Sequence, residues 1–142
     1  MEILIKRIRE IDFPSYHHPD DSGIDLVNAH EDTSIEPGER RLIPTGIIVA
    51  IPEGYELQVR SRSGLALKKG VMVLNSPGTI DAGYRGEIGV ILFNTSDETV
   101  SIPKGFRVAQ AVLQKVEKIN WKEVDILPDS KRGPGGFGST GF

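Results

Sequence analysis

Within one short stretch, Asn75 to Glu87, the chain carries an amide, a carboxylate, an aromatic ring and a cation: Asn75, Asp81, Tyr84 and Arg85. These are the parts of a small polar pocket with a flat floor, and Asp81 is its candidate catalytic group. Asp-Ala-Gly is also ordinary turn chemistry, because Asp caps its own backbone and Gly takes positive φ. The stretch is flanked by two apolar runs, Val71-Met72-Val73-Leu74 and Ile88-Gly89-Val90-Ile91-Leu92-Phe93. Two β-type runs joined by a Pro/Gly/Asp-rich segment predict a hairpin.

Other stretches carry chemistry of their own. Arg60-Ser61-Arg62-Ser63-Gly64 opens a helix-like piece. Ser63 at a helix start with Arg62 beside it is either an anion site or a plain N-cap. In Gly105-Phe106-Arg107-Val108-Ala109-Gln110, strict alternation puts Arg107 and Gln110 on opposite faces of a strand. The pair either reaches phosphate oxygens or fixes a subunit contact. Asp20 and Asp21 read as a solvated turn. Asp25 enters an apolar run and needs a cationic or N–H partner if buried.

The elements that must hold these groups are short. Glu36-Pro37-Gly38, Ile43-Pro44-Thr45-Gly46, Ile51-Pro52-Glu53-Gly54 and Ile102-Pro103-Lys104-Gly105 are turn signals. Between them lie β-favouring runs at 47–51, 55–59, 88–93, 99–102 and 106–116, and residues 1–7 read as a first strand. Many short strands at this spacing predict a sandwich or barrel. Only 63–70 looks helical, with cations in its last turn and a Gly stop. The glycine-rich end, Lys131 to Phe142, holds neither strand nor helix and is expected to be mobile. It lacks the Gly-Lys-Ser/Thr ending of a phosphate-binding P-loop. Yet it offers Arg132, Phe137, Ser139 and Thr140 among glycines.

Composition narrows the function. The chain has 142 residues, which suits a single domain over 1–142, with 130–142 as a mobile arm. No apolar run approaches the ~20 residues that cross a bilayer. The N-terminus lacks a secretory layout, so no membrane association and a cytoplasmic location are expected. With no cysteine, disulfides and thiolate metal sites are excluded, and His17, His18 and His30 lack zinc spacing. A net charge of −3 argues against a nucleic-acid binder.

In order along the chain, these stretches resemble the five motifs of the homotrimeric dUTP pyrophosphatases (dUTPases). The matching segments are Ser22-Gly23-Ile24-Asp25-Leu26, Arg62-Ser63-Gly64-Leu65-Ala66 and Asn75 through Gly86. Gly105-Phe106-Arg107-Val108-Ala109-Gln110 follows, then Arg132-Gly133 with Gly135 through Gly141. The resemblance implies an all-β, distorted jelly-roll barrel or sandwich with one short helix and a flexible glycine-rich C-terminal tail. It implies a homotrimer whose active sites are shared among subunits, one tail closing over a pocket formed by two others.

The implied reaction is dUTP plus water giving dUMP and pyrophosphate, by attack on the α-phosphorus. It limits uracil incorporation into DNA and supplies dUMP for thymidylate synthesis. The resemblance assigns water activation to Asp81. It assigns phosphate binding to Arg62, Ser63, Gly64, Arg107, Gln110, Arg132, Ser139 and Thr140. Uracil and deoxyribose fall to Asn75, Gly78, Ile80, Tyr84, Phe137 and Gly138. Asp25 acts through a water or structurally. Mg²⁺ is implied as cofactor, held by the triphosphate and waters rather than by side chains. The related dCTP deaminases carry a catalytic Glu in the strand after Gly86. Here that strand has no carboxylate, and Glu87 stands too early. A non-catalytic nucleotide-binding trimer is the other alternative.

Overall fold

The computed structural model describes residues 1–141; Phe142, the last residue of the expected arm, lies outside the described residues. The chain folds into short strands with one helix. The strands are β1 (Leu4–Arg7), β2 (Ile24–Val27), β3 (Thr33–Ile35), β4 (Arg40–Pro44), β5 (Ile47–Ala50) and β6 (Tyr55–Arg60). Helix α1 (Ser63–Lys69) follows, then β7 (Val71–Val73), β8 (Gly78–Ile80), β9 (Gly89–Asn94), β10 (Val100–Ile102) and β11 (Arg107–Lys115).

Four antiparallel groups form: β1-β5, β10-β3, β2-β11-β6-β8 and β4-β9-β7. They do not close into one hydrogen-bonded barrel among the described residues. Inward residues alternate with outward ones, as in β9, where Val90, Leu92 and Asn94 are buried and their neighbours are half-exposed. Ile35, Ile43, Ile88, Val90, Leu92, Ile102 and Val108 are completely buried in the core. Removing one such side chain to Ala typically costs about 2–5 kcal/mol.

Two buried amides tie loops to that core. Asn28 donates to the carbonyls of Glu31 and Ile102, while Asn94 donates to those of Ile35 and Glu98. Buried amides need such partners. Among the described residues no helix is long and apolar enough to cross a membrane.

The expected strands are present within a residue or two, except that the first begins at Leu4 rather than at the N-terminus, and the structure corrects several local readings. The 71–74 and 88–93 runs do pair, with Val73 opposite Leu92. The segment between them is more than a turn, however: it contains β8, which joins the other sheet by pairing with β6. The Ile43-Pro44-Thr45-Gly46 signal overlaps the end of β4, which stops at Pro44, and its Thr45-Gly46 half makes the turn into β5. Ser63 is the first helical residue, not the cap. Arg62 takes the N-cap position in extended conformation, with no side-chain cap bond. The helix stops at Gly70 as expected, with φ of 65°.

Candidate active site

Asp25 on β2 sits opposite Gln110 of β11. Its two carboxylate oxygens are shared between two arginines. Arg62 Nε donates to Oδ1 at 3.0 Å and Arg107 Nη1 to Oδ2 at 3.2 Å. Arg62 also donates through Nη1 to the Arg107 carbonyl at 3.1 Å. The partner that Asp25 needs is thus a pair of guanidinium groups, and its side chain stays 28% exposed.

Strict alternation separates Arg107 from Gln110, but the sheet does not alternate strictly here. Arg107 pairs with Val27 and Ala109 with Leu26, so two residues of β11 answer to one of β2. That is a β-bulge, and bulges re-aim side chains. Both residues consequently reach the Asp25 cluster. Gln110 donates to the Ser61 carbonyl at 3.0 Å. Gly23 lies so close that a Cβ there would strike the Gln110 carboxamide.

Around Gln110 lies a cavity of about 270 Å³, lined by Ser22, Gly23, Asp25, Arg62, Ser63, Gly64 and Gln110 with His17 and Asp21. Ser63 and Gly64 open α1, where backbone N–H groups lack partners within the helix. Arg62, the Gln110 amide and the free N–H groups that open α1 give this cavity the chemistry of an anion site, and Arg107 is tied to its wall through Asp25. Ser61 was not singled out from the sequence, yet it is central here. Besides accepting from Gln110, its Oγ accepts from the Val73 N–H at 2.9 Å.

None of the residues 75–87 lines that cavity. They form a second place on the chain. Gly78 is buried against Val59, and a Cβ on it would lie 3.4 Å from the Asn75 amide nitrogen. Ile80 packs its side chain toward the core. Because β8 ends its sheet, one row of its N–H and C=O groups faces away from β6. Asp81 follows immediately and is exposed; none of the four ion pairs among the described residues includes it.

The loop after Asp81 is stitched to itself. The Tyr84 N–H donates to the Asp81 carbonyl at 3.0 Å and the Tyr84 hydroxyl to the Glu87 carbonyl at 2.9 Å. Arg85 turns back on its own loop, its guanidinium donating to the carbonyls of Ala82 and Tyr84.

The third group of expected site residues lies on the tail. Residues 130–141 form consecutive turns, and Arg132 Nε donates to the Gly135 carbonyl at 2.8 Å. Phe137 has φ of 51° and is 111% exposed. Gly138, Ser139 and Thr140 continue the turns, and the Ser139 N–H donates to the Gly136 carbonyl. The structure therefore brings Asp25, Arg62, Ser63, Gly64, Arg107 and Gln110 together. The Asn75–Tyr84 group and the Arg132–Thr140 group stand apart from them.

An all-β, jelly-roll-like scaffold with a polar cavity walled by Arg62 and Gln110, and a polar loop behind an edge strand, has the architecture of a small-ligand-binding β protein. The chain belongs to the dUTPase family, whose model matches residues 9–141. The deoxyuridine 5'-triphosphate nucleotidohydrolase of Clostridium tetani is 53% identical over 138 residues, covering 96% of this chain and 94% of its own. A mutant dUTPase of Staphylococcus bacteriophage 80alpha, solved with dUpNHpp, superposes with a TM-score of 0.90 at 29% identity over 99% of each chain. A mutant dUTPase from phage phi11 of S. aureus, solved with a coordinated structural Mg(II) ion, gives 0.83 at 26% identity, covering 91% of this chain and 100% of that one. Family and fold agree with the motif reading.

Proposed function

We propose that this protein hydrolyses dUTP to dUMP and pyrophosphate, with Asp81 orienting and deprotonating the attacking water. The observation that carries the reading is the edge strand β8 running directly into Asp81. The outward backbone groups of Gly78 to Ile80, with the Asn75 amide beside Gly78, offer donors and acceptors to the uracil edge. Tyr84 lies under the deoxyribose and leaves no room for a 2′-hydroxyl. The base is thereby held while the next residue addresses the α-phosphate.

In this reaction the water oxygen bonds to the α-phosphorus as its bond to the α–β bridging oxygen breaks. The water proton passes to Asp81, and the electron pair leaves with pyrophosphate. An ordinary carboxylate is a weak base, so positioning matters more than basicity. Charge growing on the phosphate oxygens is met by Arg62, Arg107, Gln110, Ser63 and the Gly64 N–H. Arg132, Ser139 and Thr140 act at the γ end, and Phe137 with Gly138 covers the base. Stacking of this kind contributes about 1–3 kcal/mol.

Mg²⁺ enters with the substrate in this reading. Among the described residues no three His, Cys, Asp or Glu side chains group as a metal site, and the Asp25 oxygens are engaged by arginines. Such surroundings suit an anion that brings its own cation, and a bound Mg²⁺ would supply neutralisation of the phosphate charge.

The active site is shared within a homotrimer. Two features favour this arrangement. The anion cavity takes no residue from the Asp81 loop, and a neighbouring subunit would bring the two together. The segment after β11 also leaves Ile119, Trp121, Ile126 and Leu127 exposed, an apolar stretch that a neighbouring subunit would cover. The chain over 1–142 acts as one domain whose residues 130–142 form the closing arm. It works in the cytoplasm.

Pyrophosphate release from dUTP with Mg²⁺ tests the activity. Ammonia release from dCTP, or nucleotide binding without turnover, would replace this reading with a deaminase or an idle trimer. Size measurement by light scattering tests the trimer.

A further inference from the structure

Glu87, on the far side of the loop from Asp81, is the most heavily engaged carboxylate near the site. Arg9 grips it with two parallel bonds, Nε to Oε1 at 2.7 Å and Nη2 to Oε2 at 3.1 Å. The Gly46 N–H donates to Oε1 as well, at 2.9 Å. A bidentate pair of this kind fixes direction as well as distance. Its side chains are only 35% and 23% exposed.

The surroundings turn that pair into an anchor. The Ile8 N–H donates to the Gly46 carbonyl at 2.8 Å, which joins the segment carrying Arg9 to the β4–β5 turn. Thr45 donates to the Ile88 carbonyl through both its N–H and its hydroxyl, and the Ile88 N–H returns to Ile47. Gly46 has φ of 76°, and a Cβ there would lie 3.1 Å from the Arg9 Cβ, so the turn admits no larger residue without strain.

On its other side Glu87 meets Tyr84. Its carbonyl takes the tyrosine hydroxyl, and Gly86 lets the ring lie flat over the backbone: a Cβ at 86 would collide with the ring and hydroxyl. The ring is thereby fixed at both ends, by the Asp81 carbonyl at its own N–H and by Glu87 at its hydroxyl.

We infer that the Arg9–Glu87 pair is a positioning device that sets the Tyr84 ring, and through it the preference for deoxyribose over ribose. The inference rests on the reading of Tyr84 as the sugar platform. Glu87 touches no substrate; it acts by holding the carbonyl to which the tyrosine is tied. Loss of the pair frees residues 84–87 to shift, and the space denied to a 2′-hydroxyl opens.

The test is kcat/KM for dUTP and for UTP in wild type, Glu87→Gln, Arg9→Met, Arg9→Lys and Tyr84→Ala, with Tm measured for each. Glu87→Gln and Arg9→Met should each lower the dUTP/UTP ratio about tenfold, because small misplacements of a contact group cost that much or more. The double variant should be no worse than either single one. Arg9→Lys, which keeps the charge and should fold if Arg9→Met does not, should lower the ratio less. An unchanged ratio in the Arg9 and Glu87 variants, with only Tm reduced, would overturn the inference. If Tyr84→Ala also leaves the ratio unchanged, the sugar-platform reading itself fails and the inference falls with it.

Discussion

Asp25 and Arg62 form an ion pair, Nε to Oδ1 at 3.0 Å, between β2 and the residue that caps α1. Because Arg107 occupies the other carboxylate oxygen, one acid holds two cations, Arg62 on the wall of the cavity around Gln110 and Arg107 on the other side of Asp25. In the proposed function, arginines held this way are pre-set to receive phosphate. Asp25→Asn should therefore raise KM for dUTP and lower kcat/KM about tenfold. The partly exposed pair should add only about 1 kcal/mol or less to stability. Steady-state kinetics beside a denaturation curve checks both halves; full activity would leave Asp25 a structural residue only.

Asp81→Asn keeps the loop's shape and removes its base. The expected outcome is nucleotide binding close to wild type with kcat lowered roughly 100-fold or more. Calorimetry with a nonhydrolysable analogue, paired with single-turnover kinetics, separates the two. A rate that barely moves refutes the role given to Asp81.

Removal of the residues after Asp129 takes away Arg132, Phe137, Ser139 and Thr140 together. All described hydrogen bonds of that segment are internal to it, so the folded body should keep its Tm. Turnover should fall nearly to background. Phe137→Ala alone should cost about 1–3 kcal/mol in transition-state binding, read from kcat/KM.

If, as proposed, the ion arrives with the triphosphate, chelation of Mg²⁺ should abolish turnover and leave Tm unchanged in the absence of nucleotide. A Tm that drops on adding chelator to the free protein would reveal an ion held by the protein itself.

Stability should fall in acid through two glutamates. Hydrogen bonds from Arg9 hold Glu87 below its ordinary value of 4.5, and a backbone hydrogen bond at Glu36 does the same for Glu39, with Arg41 adding to it. A carboxyl depressed in the folded state binds fewer protons there than when unfolded. Its contribution is complete above 4.5 and disappears as pH falls through the lowered folded value. Urea unfolding across this acid range should show the decline, and Glu87→Gln should flatten part of it.

The sequence made the strands and the helix legible because turn chemistry brackets them at short intervals. Residues 55–60 alternate cleanly, and Gly70 closes α1 where a Gly stop belongs. Three things escaped. A strand of three residues, β8, hides inside a segment rich in turn formers, and its partner β6 lies far back in the chain. The bulge beside Val108 depends on register against β2, which no local pattern reveals. Arg9, Glu87 and Ser61 gain their meaning from contacts across the fold. Glu87 stood out in the sequence only as a carboxylate in the wrong place for a deaminase.

Strand β8 has one further consequence. An open side on a sheet invites other chains to add to it, and long open sides seed aggregation. This one spans three residues and ends at a charged group, Asp81. It is too brief to recruit a stray polypeptide, while the proposed function asks it to hold only a single pyrimidine. The brevity that would suit a small ligand there also limits how far one copy of the chain can pair with another along that edge.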